Sequence, residues 1–205
     1  MVTFGYIAIA VIAYLLGNIS TSYIIAKKFS GVDIRTQGSG NAGSTNVLRT
    51  MGKRAGAATF IGDLLKGTIS VLIGQIIGNF IGVDRTIAGY IAVIFVVVGH
   101  NWPAFLGFKG GKGVATSLGA MLAINPIIAL SCLGIFIVVV AVSKYVSLGS
   151  VVGIAFSAPF MLISKNNPGF VVAFFLTLSV MYTHRANLKR LIKGDENKVG
   201  RKKEE

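Results

Sequence analysis

The residues best suited to chemistry begin with the segment GSGNAGSTN, residues 38–46. Its glycines, Gly38, Gly40 and Gly43, allow backbone amides to approach an anion closely. Neutral hydrogen-bonding side chains lie between and after them: Ser39, Asn41, Ser44, Thr45 and Asn46. Arg49 follows, and its planar guanidinium suits a phosphate. The segment therefore predicts a phosphate-binding loop, and the alternative is an ordinary flexible surface loop.

The same glycines match the dinucleotide-binding pattern G-x-G-x-x-G, and Asp63 follows Gly43 by twenty residues. That pattern functions only after a β-strand and within a βαβ unit. Here a long apolar segment of the membrane-helix type precedes the glycines, and Asp63 lies inside the next apolar segment. The context therefore argues against a dinucleotide site.

A second glycine-rich segment, GHNWPAFLGFKGGKGVATS, covers residues 99–117. It is not a Walker A loop, because Gly113 follows Lys112 and Leu106 stands where the first glycine should be. Its KGGKG part leads into a helix predicted to begin near residue 114. The amides and the dipole of a helix favour an anion at that end, and Lys109 and Lys112 add positive charge.

The candidate ligand-binding residues of this second segment are Lys109, Gly110, Gly111, Lys112, Gly113 and Thr116, and Ser117 lies in the same first helical turn as Thr116. The alternative is a cytoplasmic loop with two anchoring lysines, which explains the charges but not the glycines. His100 directly follows an apolar segment and is a candidate general base. A lone histidine is nevertheless more often structural than catalytic.

Two further polar clusters accompany the apolar segments. The sequence THRANLKRL, residues 183–191, places His184 and Asn187 on one helical face. Cations at the end of a membrane helix are expected in any membrane protein, so this cluster indicates a site only weakly. Asp63 and Lys66 are three residues apart and can pair on one face of a helix, in a structural or a functional role.

The composition indicates the class of protein that holds these clusters. The chain has 205 residues, of which 53% are hydrophobic and only 13% charged, as in an integral membrane protein. The net charge of +13 does not indicate nucleic-acid binding, because so apolar a chain lacks a soluble basic face. The single cysteine, Cys132, excludes an intrachain disulfide. The first apolar segment has no basic residues before it, so it reads as a retained span, not a cleaved signal peptide.

Seven apolar segments are candidate membrane helices: residues 2–26, 55–81, 87–99, 114–124, 127–142, 146–163 and 170–182. The fourth is short, because its ~18 Å of helix falls below the ~30 Å of a hydrocarbon core. The alternative is a single helix over residues 114–142, kinked at Asn125-Pro126, which would give six spans.

The distribution of basic residues favours seven spans over six. With seven, nearly all lysines and arginines lie on one face, against Arg85 and Lys165 on the other, whereas six spans divide them almost evenly. We therefore predict an all-α integral membrane protein of seven transmembrane helices, with the N-terminus outside and the C-terminus cytoplasmic. The short helix would draw membrane-dipping cytoplasmic loops inward. The whole chain, 1–205, is predicted to be one domain, with a flexible basic tail from about residue 195.

Taken together, the segments GSGNAGSTN, GHNWPAFLGFKGGKGVATS and HRANLKRLIKGDE occur in the order and spacing of a known family. They resemble the three signature motifs of the bacterial acyl-phosphate:glycerol-3-phosphate acyltransferases (PlsY-type). The resemblance covers nearly the whole chain, including GDLLKG and KYVSLGS. Small departures are Ala42 and Ser44, where the first family motif commonly reads GSGNPGATN, and Leu188, where isoleucine is frequent. The missing proline should loosen the loop slightly.

The resemblance implies a fold of seven membrane helices in the bacterial plasma membrane, with the active site facing the cytoplasm. It implies transfer of a fatty acyl group from acyl phosphate to the 1-hydroxyl of sn-glycerol 3-phosphate, in phospholipid biosynthesis. The products are lysophosphatidic acid and inorganic phosphate. The expected partners are the two substrates and membrane lipids; we expect a monomer and neither a cofactor, a metal site nor nucleic acid.

The resemblance also assigns Asn41, Ser147, His184 and Asn187 to the site. We expect direct attack of the glycerol hydroxyl on the acyl-phosphate carbonyl, without a covalent acyl-enzyme, because the substrate is already an activated anhydride. The expected catalytic residues are Ser39, His100, Lys112, His184 and Asn187. The substrate phosphate could itself accept the proton in place of His100. Substrate binding is expected from the glycines and polar residues of both glycine-rich segments, with Arg49 and Ser147.

Two other classes of protein remain as alternatives. An anion transporter for phosphate or glycerol phosphate would use the same cations, although carriers usually bind near the midplane between repeated halves. A lipid-binding scaffold would explain the basic tail but not two donor-rich glycine segments on one face.

Overall fold

The computed structural model describes residues 2–199, and these are helical with no β-strand among them. The predicted all-helical architecture is confirmed. The helices are α1 (Val2–Asn18), α2 (Thr21–Ser30), α3 (Ser44–Met51), α4 (Lys53–Phe80), α5 (Arg85–Asn101), α6 (Val114–Ile124), α7 (Pro126–Ser143), α8 (Val146–Ala155), α9 (Ser157–Ile163), α10 (Asn167–Thr183) and α11 (Arg185–Lys193). Two 3₁₀ turns lie at Ile34–Thr36 and Ala104–Leu106.

Five helical segments are long and apolar enough to cross a membrane: Val2–Ser30, Lys53–Phe80, Arg85–Leu106, Pro126–Ser143 and Val146–Ile163. A sixth results if α10 and α11, bent by 60° to each other, count as one broken span. The first of these segments is interrupted after α1, where the Ser20 hydroxyl accepts a hydrogen bond from the Tyr23 amide and caps α2. Seven complete spans therefore stay a prediction.

The short fourth apolar segment forms a helix of its own, α6, with 11 residues. Asn125 follows it in an extended conformation, with φ −147° and ψ 91°, and Pro126 begins α7. A proline disfavours helical geometry in the residue before it, which explains why the chain leaves the helix at Asn125. The alternative of a single kinked helix over residues 114–142 is therefore wrong.

The chain divides into two compact units, Met1–Pro126 and Ile127–Glu205. In the first, glycines bring helix backbones close together. Gly17 of α1 lies against the Val96 carbonyl of α5, and Gly67 of α4 lies against the Thr116 carbonyl of α6. In the second unit, Gly149 lies against Phe136 of α7, and α10 packs on α8 and α9. Small residues at such crossings are typical of helices that associate within a membrane.

The tail predicted from about residue 195 falls partly outside the described residues, which end before residue 200. Within them, Glu196 is buried, and the amide of Val199 donates a hydrogen bond to the carbonyl of Lys144. The segment after α11 is thus hydrogen-bonded to Lys144, the residue that follows α7.

Candidate functional site

The first glycine segment is held in shape by Asn46, a residue of the first turn of α3. Its Oδ1 accepts a hydrogen bond of 2.9 Å from the amide of Ser39. Its Nδ2 donates to the carbonyls of Gln37, at 2.9 Å, and Ile34, at 3.3 Å. Both amide hydrogens are used in this way, so Asn46 supports the loop and has no N–H left for a ligand.

Apolar packing also anchors the same loop. Ala42 and Val47 are fully buried together with Ala26 of α2 and Ile34. Other residues of the loop are accessible: Ser39 and Gly40 are exposed and Thr45 is half-buried. The segment is therefore a shaped loop with an exposed polar rim, and the alternative of an ordinary flexible surface loop is not favoured by this geometry.

Gly38 and Gly40 adopt left-handed backbone conformations, with φ +56° and +70°. A Cβ at Gly38 would collide with the Asn46 side chain, so glycine is required both for the turn and for the clamp. Gly43 caps α3 without a side-chain hydrogen bond to the helix amides. Asn41 lies beside Gly43 and is half-buried, and Arg49 is exposed at the end of α3.

An arginine outside the predicted site joins the first loop to the second. Arg35 donates to both carboxylate oxygens of Asp33, and its Nη1 donates to the Leu106 carbonyl at 2.7 Å. The hydrogen bond from Arg35 lowers the pKa of Asp33, and Asp33 in turn raises the pKa of Arg35. The sequence gives little sign of this link, because 71 residues separate Arg35 from Leu106.

The second glycine segment folds back on the end of α5. The amide of Gly110 donates to the Asn101 carbonyl and that of Gly111 to the His100 carbonyl, at 3.3 and 3.1 Å. These two amides therefore shape the loop and are not available to an anion. Gly113, with φ +80°, caps α6 without a side-chain hydrogen bond. The first turn of α6 is consequently the end of this segment that can receive a negatively charged group.

The two glycine segments meet at Gly111. A Cβ at this position would collide with Nε2 of His100 and would lie 2.7 Å from the carbonyl oxygen of Ala42, in the first loop. Only glycine allows His100 and the first loop to come this close to the second loop. The structure thus brings together the two segments that the sequence predicted to bind phosphate.

Two hydroxyls of the first turn of α6 are unusual. Thr116 and Ser117 are fully buried. Within the part of the chain that the structure describes, neither Oγ1 of Thr116 nor Oγ of Ser117 has a hydrogen-bond partner. A buried hydroxyl without a partner costs free energy, so each requires an explanation. Nearby in the sequence, Lys109 is exposed and Lys112 half-buried.

Behind the loops, α4 contributes a buried ion pair. Nζ of Lys66 lies 2.9 Å from Oδ1 of Asp63, as their spacing of three residues predicts. The same Nζ donates to the Ile19 carbonyl at 2.9 Å and lies 2.8 Å from Nδ1 of His100. The link to His100 spans 34 residues and has no signal in the sequence.

In the second unit, a glutamate organises the residues that the third motif predicted. Oε1 of Glu196 accepts hydrogen bonds from Oγ of Ser147, at 3.0 Å, and Nδ2 of Asn187, at 2.6 Å. Its Oε2 accepts one of 2.7 Å from Nε of Arg190. Burial alone would raise the pKa of Glu196, but these hydrogen bonds and the charge of Arg190 outweigh it and lower that pKa.

Neither Glu196 nor Arg190 was selected from the sequence. The available signal was the GDE sequence that ends the third motif. His184 is also buried in this unit, and its Nδ1 donates to the Val180 carbonyl at 2.9 Å. Ser147, His184 and Asn187 are therefore all ordered, buried residues of the second unit.

No metal-binding group is apparent: among residues 2–199, no three histidine, cysteine, aspartate or glutamate side chains cluster closely enough to hold an ion. The two glycine segments offer hydrogen bonding and positive charge, from hydroxyls, amides, lysines and an arginine.

Comparison with known proteins agrees with the three motifs. A family model described as glycerol-3-phosphate acyltransferase matches residues 7–194. A glycerol-3-phosphate acyltransferase of Clostridioides difficile (strain 630) is 69% identical over 204 residues, covering 100% of both chains. One of Alkaliphilus metalliredigens (strain QYMF) is 47% identical and covers 93% of this chain and 94% of its own.

Two solved structures share the fold. The crystal structure of PlsY, an integral membrane glycerol 3-phosphate acyltransferase, in its glycerol 3-phosphate form has a TM-score of 0.87 and 37% identity, over 95% of this chain and 96% of that one. The lysophosphatidic acid form has a TM-score of 0.84 and 36% identity, over 95% of each chain. With the apolar helices described above, this likeness confirms the prediction of a multi-pass integral membrane protein.

Proposed function

Because the chain belongs to the glycerol-3-phosphate acyltransferase family, we propose that it transfers an acyl group from a fatty acyl phosphate to the 1-hydroxyl of sn-glycerol 3-phosphate. The products are lysophosphatidic acid and inorganic phosphate, and no cofactor takes part. The observation that carries the proposal is the meeting of the two glycine segments at Gly111, at the entrance to α6. The family supports acyl transfer to glycerol 3-phosphate, and the acyl-phosphate donor is proposed from the resemblance of the three motifs.

The local chemistry at α6 fits a phosphate group. The open amides of the first turn and the helix dipole favour an anion, and Lys112 supplies a full charge. The hydroxyls of Thr116 and Ser117, which lack partners among the described residues, have no accessible surface, so they would meet phosphate oxygens only if the neighbouring loop moved. Because both substrates carry phosphate, additional donors are needed, and we assign Ser39, Thr45, Arg49 and Lys109 to that role.

The reaction needs little covalent chemistry from the protein. The glycerol hydroxyl oxygen forms a bond to the acyl carbonyl carbon, and the bond from that carbon to the phosphate oxygen breaks. The departing phosphate takes the electron pair and accepts the hydroxyl proton. Positioning of the two substrates and stabilisation of the developing charge are then the main contributions of the enzyme.

Several residues of the second unit are proposed to take part in substrate binding. Ser147 and Asn187 share the Glu196 carboxylate, which fixes their side chains, and His184 is fixed through the Val180 carbonyl. A preorganised polar residue loses less conformational freedom on binding than a mobile one. These residues are therefore suited to recognising a polar substrate.

For the membrane arrangement, we propose seven spans in the bacterial plasma membrane, with the N-terminus outside and both glycine segments at the cytoplasmic face. The support is the excess of lysine and arginine on that face. We propose a monomer forming a single domain as the working unit.

The donor is tested by offering the purified protein glycerol 3-phosphate with either palmitoyl phosphate or palmitoyl-coenzyme A. Lysophosphatidic acid should form with palmitoyl phosphate and not with palmitoyl-coenzyme A. Product from the thioester at an equal rate would contradict the proposed donor while leaving acyl transfer intact. Intact-protein mass spectrometry after incubation with palmitoyl phosphate alone should show no added acyl mass; an acyl-Ser39 adduct would overturn direct attack.

A further inference from the structure

The buried ammonium of Lys66 has three close polar partners. They are Oδ1 of Asp63 and the Ile19 carbonyl, each at 2.9 Å, and Nδ1 of His100 at 2.8 Å. The contact with Asp63 is an ion pair without the alignment of a hydrogen bond. A lysine ammonium carries three donors and no acceptor. The neighbourhood of Nζ, with two hydrogen-bond acceptors and the Asp63 carboxylate beside it, therefore fits a protonated lysine.

This arrangement determines the tautomer of His100. Because the ammonium of Lys66 can only donate, Nδ1 of His100 must accept and cannot carry a hydrogen. Asp63 does not alter this conclusion, since its Oδ1 lies 3.7 Å from Nδ1, too far for a hydrogen bond. A neutral imidazole has one N–H, which is then on Nε2. A second proton would place a positive ring 2.8 Å from an ammonium, so repulsion disfavours it.

The nitrogen that carries the hydrogen is the one facing the two glycine segments. Nε2 of His100 lies so close to Gly111 that a Cβ there would collide with it, and the Ala42 carbonyl of the first loop is 2.7 Å from the same Cβ position. The ring is 6% exposed and cannot swing away without breaking its contact with Lys66. The fold thus aims one N–H at the junction of the loops.

We propose that Asp63 and Lys66 are positioning residues that fix His100 as the Nε2–H tautomer, so that His100 donates a hydrogen bond to a substrate phosphate and does not act as a base. The identity of that phosphate rests on the proposed function. The tautomer of His100 does not depend on it. The sequence-based expectation that His100 serves as general base is replaced by this role.

The tautomer is measured directly by ¹⁵N–¹H NMR of the full-length protein in detergent or nanodiscs, labelled at histidine. The chain has two histidines, so a His184→Gln variant, made only for assignment, identifies the signals of His100. His184 is an internal reference, because its Nδ1 donates to a carbonyl and must carry a hydrogen. We expect hydrogen on Nε2 alone for His100. A hydrogen on Nδ1 of His100 would overturn the proposal.

The role of Lys66 in fixing the tautomer of His100 is tested by replacing Lys66. Lys66→Met alone would leave Asp63 buried without its counter-charge, so the double variant Asp63→Asn/Lys66→Met is compared with it. In the folded double variant, the Nε2–H signal of His100 should be replaced by the signals of a mixture of tautomers. An unchanged single tautomer in the folded double variant would show that Lys66 does not set it.

Kinetics distinguish a donor from a base. His100→Gln keeps an N–H near the position of Nε2 but has no basic nitrogen, whereas His100→Ala has neither. We expect the alanine variant to lose about 10- to 100-fold in kcat/KM, the usual size for a hydrogen bond to a charged group. The glutamine variant should recover most of it, with no change in the shape of the pH–rate profile. Equal losses in both variants, in folded protein, would contradict the donor role.

These outcomes separate the inference from the proposed function. Nε2–H in the unliganded protein together with no acyl transfer would sustain the tautomer and refute the function. Acyl transfer together with a hydrogen on Nδ1 of His100 would sustain the function and refute the tautomer.

Discussion

The carboxylate of Glu196 lies 2.6 Å from the side-chain amide of Asn187, and the same oxygen accepts the hydroxyl of Ser147. Two residues that the third motif and the KYVSLGS segment supplied are thus held by one buried acid. Arg190 pairs with the other oxygen of Glu196, so the negative charge of this buried acid is compensated. Removing the charge of Glu196 should weaken its contacts with Asn187, Ser147 and Arg190 together.

Glu196→Gln should therefore destabilise the protein by about 1–3 kcal/mol, because a charged acceptor of three hydrogen bonds is replaced by a neutral one. The measurement is thermal unfolding in a fixed detergent. Asp195→Asn is the matched control, since Asp195 is exposed beside it, and its effect should stay within about 0.5 kcal/mol. Equal effects of the two substitutions would contradict the structural role of Glu196.

The depressed pKa of Glu196 also predicts a pH dependence of stability. A carboxyl whose pKa is lower in the folded than in the unfolded state stabilises the fold above its unfolded value, 4.5, and loses that contribution as the pH falls towards the folded pKa. The melting temperature should drop below about pH 4.5, and Glu196→Gln should reduce the drop. Asp33, whose pKa is also lowered, adds a separate part that this variant retains. An identical acid profile in both proteins would be the contrary result.

The first glycine loop should depend on the donors of Asn46. Asn46→Asp keeps the acceptor for the Ser39 amide but turns an oxygen towards the carbonyls of Gln37 and Ile34. We expect a loss of about 1–3 kcal/mol in stability and of about tenfold or more in kcat/KM, since the loop is displaced. Both are measured on the same preparation. Thr50→Val, which replaces with a methyl group only the hydroxyl that donates to the Asn46 carbonyl, is the control and should be nearly neutral.

The junction of the two loops should tolerate no side chain at Gly111. An added methyl group would push against His100 and the Ala42 carbonyl, and displacement of a site by about 1 Å can cost about 100-fold in rate. We expect Gly111→Ala to lose at least about 100-fold in kcat/KM. Gly134→Ala, in α7 with open space around it, should instead retain full activity and gain about 0.5–1 kcal/mol in stability. Comparable activity of the two variants would refute the close contact.

Much of the fold was predictable because apolar segments and helix breakers are local signals. The short helix α6 and its end at Asn125-Pro126 follow from segment length and from the proline. The Asp63–Lys66 pair follows from helical spacing. The break between α1 and α2 was missed, since the chain stays apolar through Ile19.

The site was predictable in its residue types but not in their roles. Asn46 looked like a ligand for phosphate because its side chain is polar and lies in a glycine-rich loop, yet the fold uses it to hold that loop. Arg35, Glu196 and the contact of Lys66 with His100 depend on partners distant in sequence, which a single sequence does not reveal.

The central claim is that acyl phosphate and glycerol 3-phosphate react directly at the paired glycine loops. The most direct test mixes both substrates, with palmitoyl phosphate as donor, with purified protein in lipid and follows released phosphate and lysophosphatidic acid together, beside a Lys112→Ala control. We expect the two products in equal amounts, and a loss of both in the Lys112 variant. Folded protein that forms no lysophosphatidic acid, or a Lys112→Ala variant as fast as the unsubstituted protein, would contradict the account.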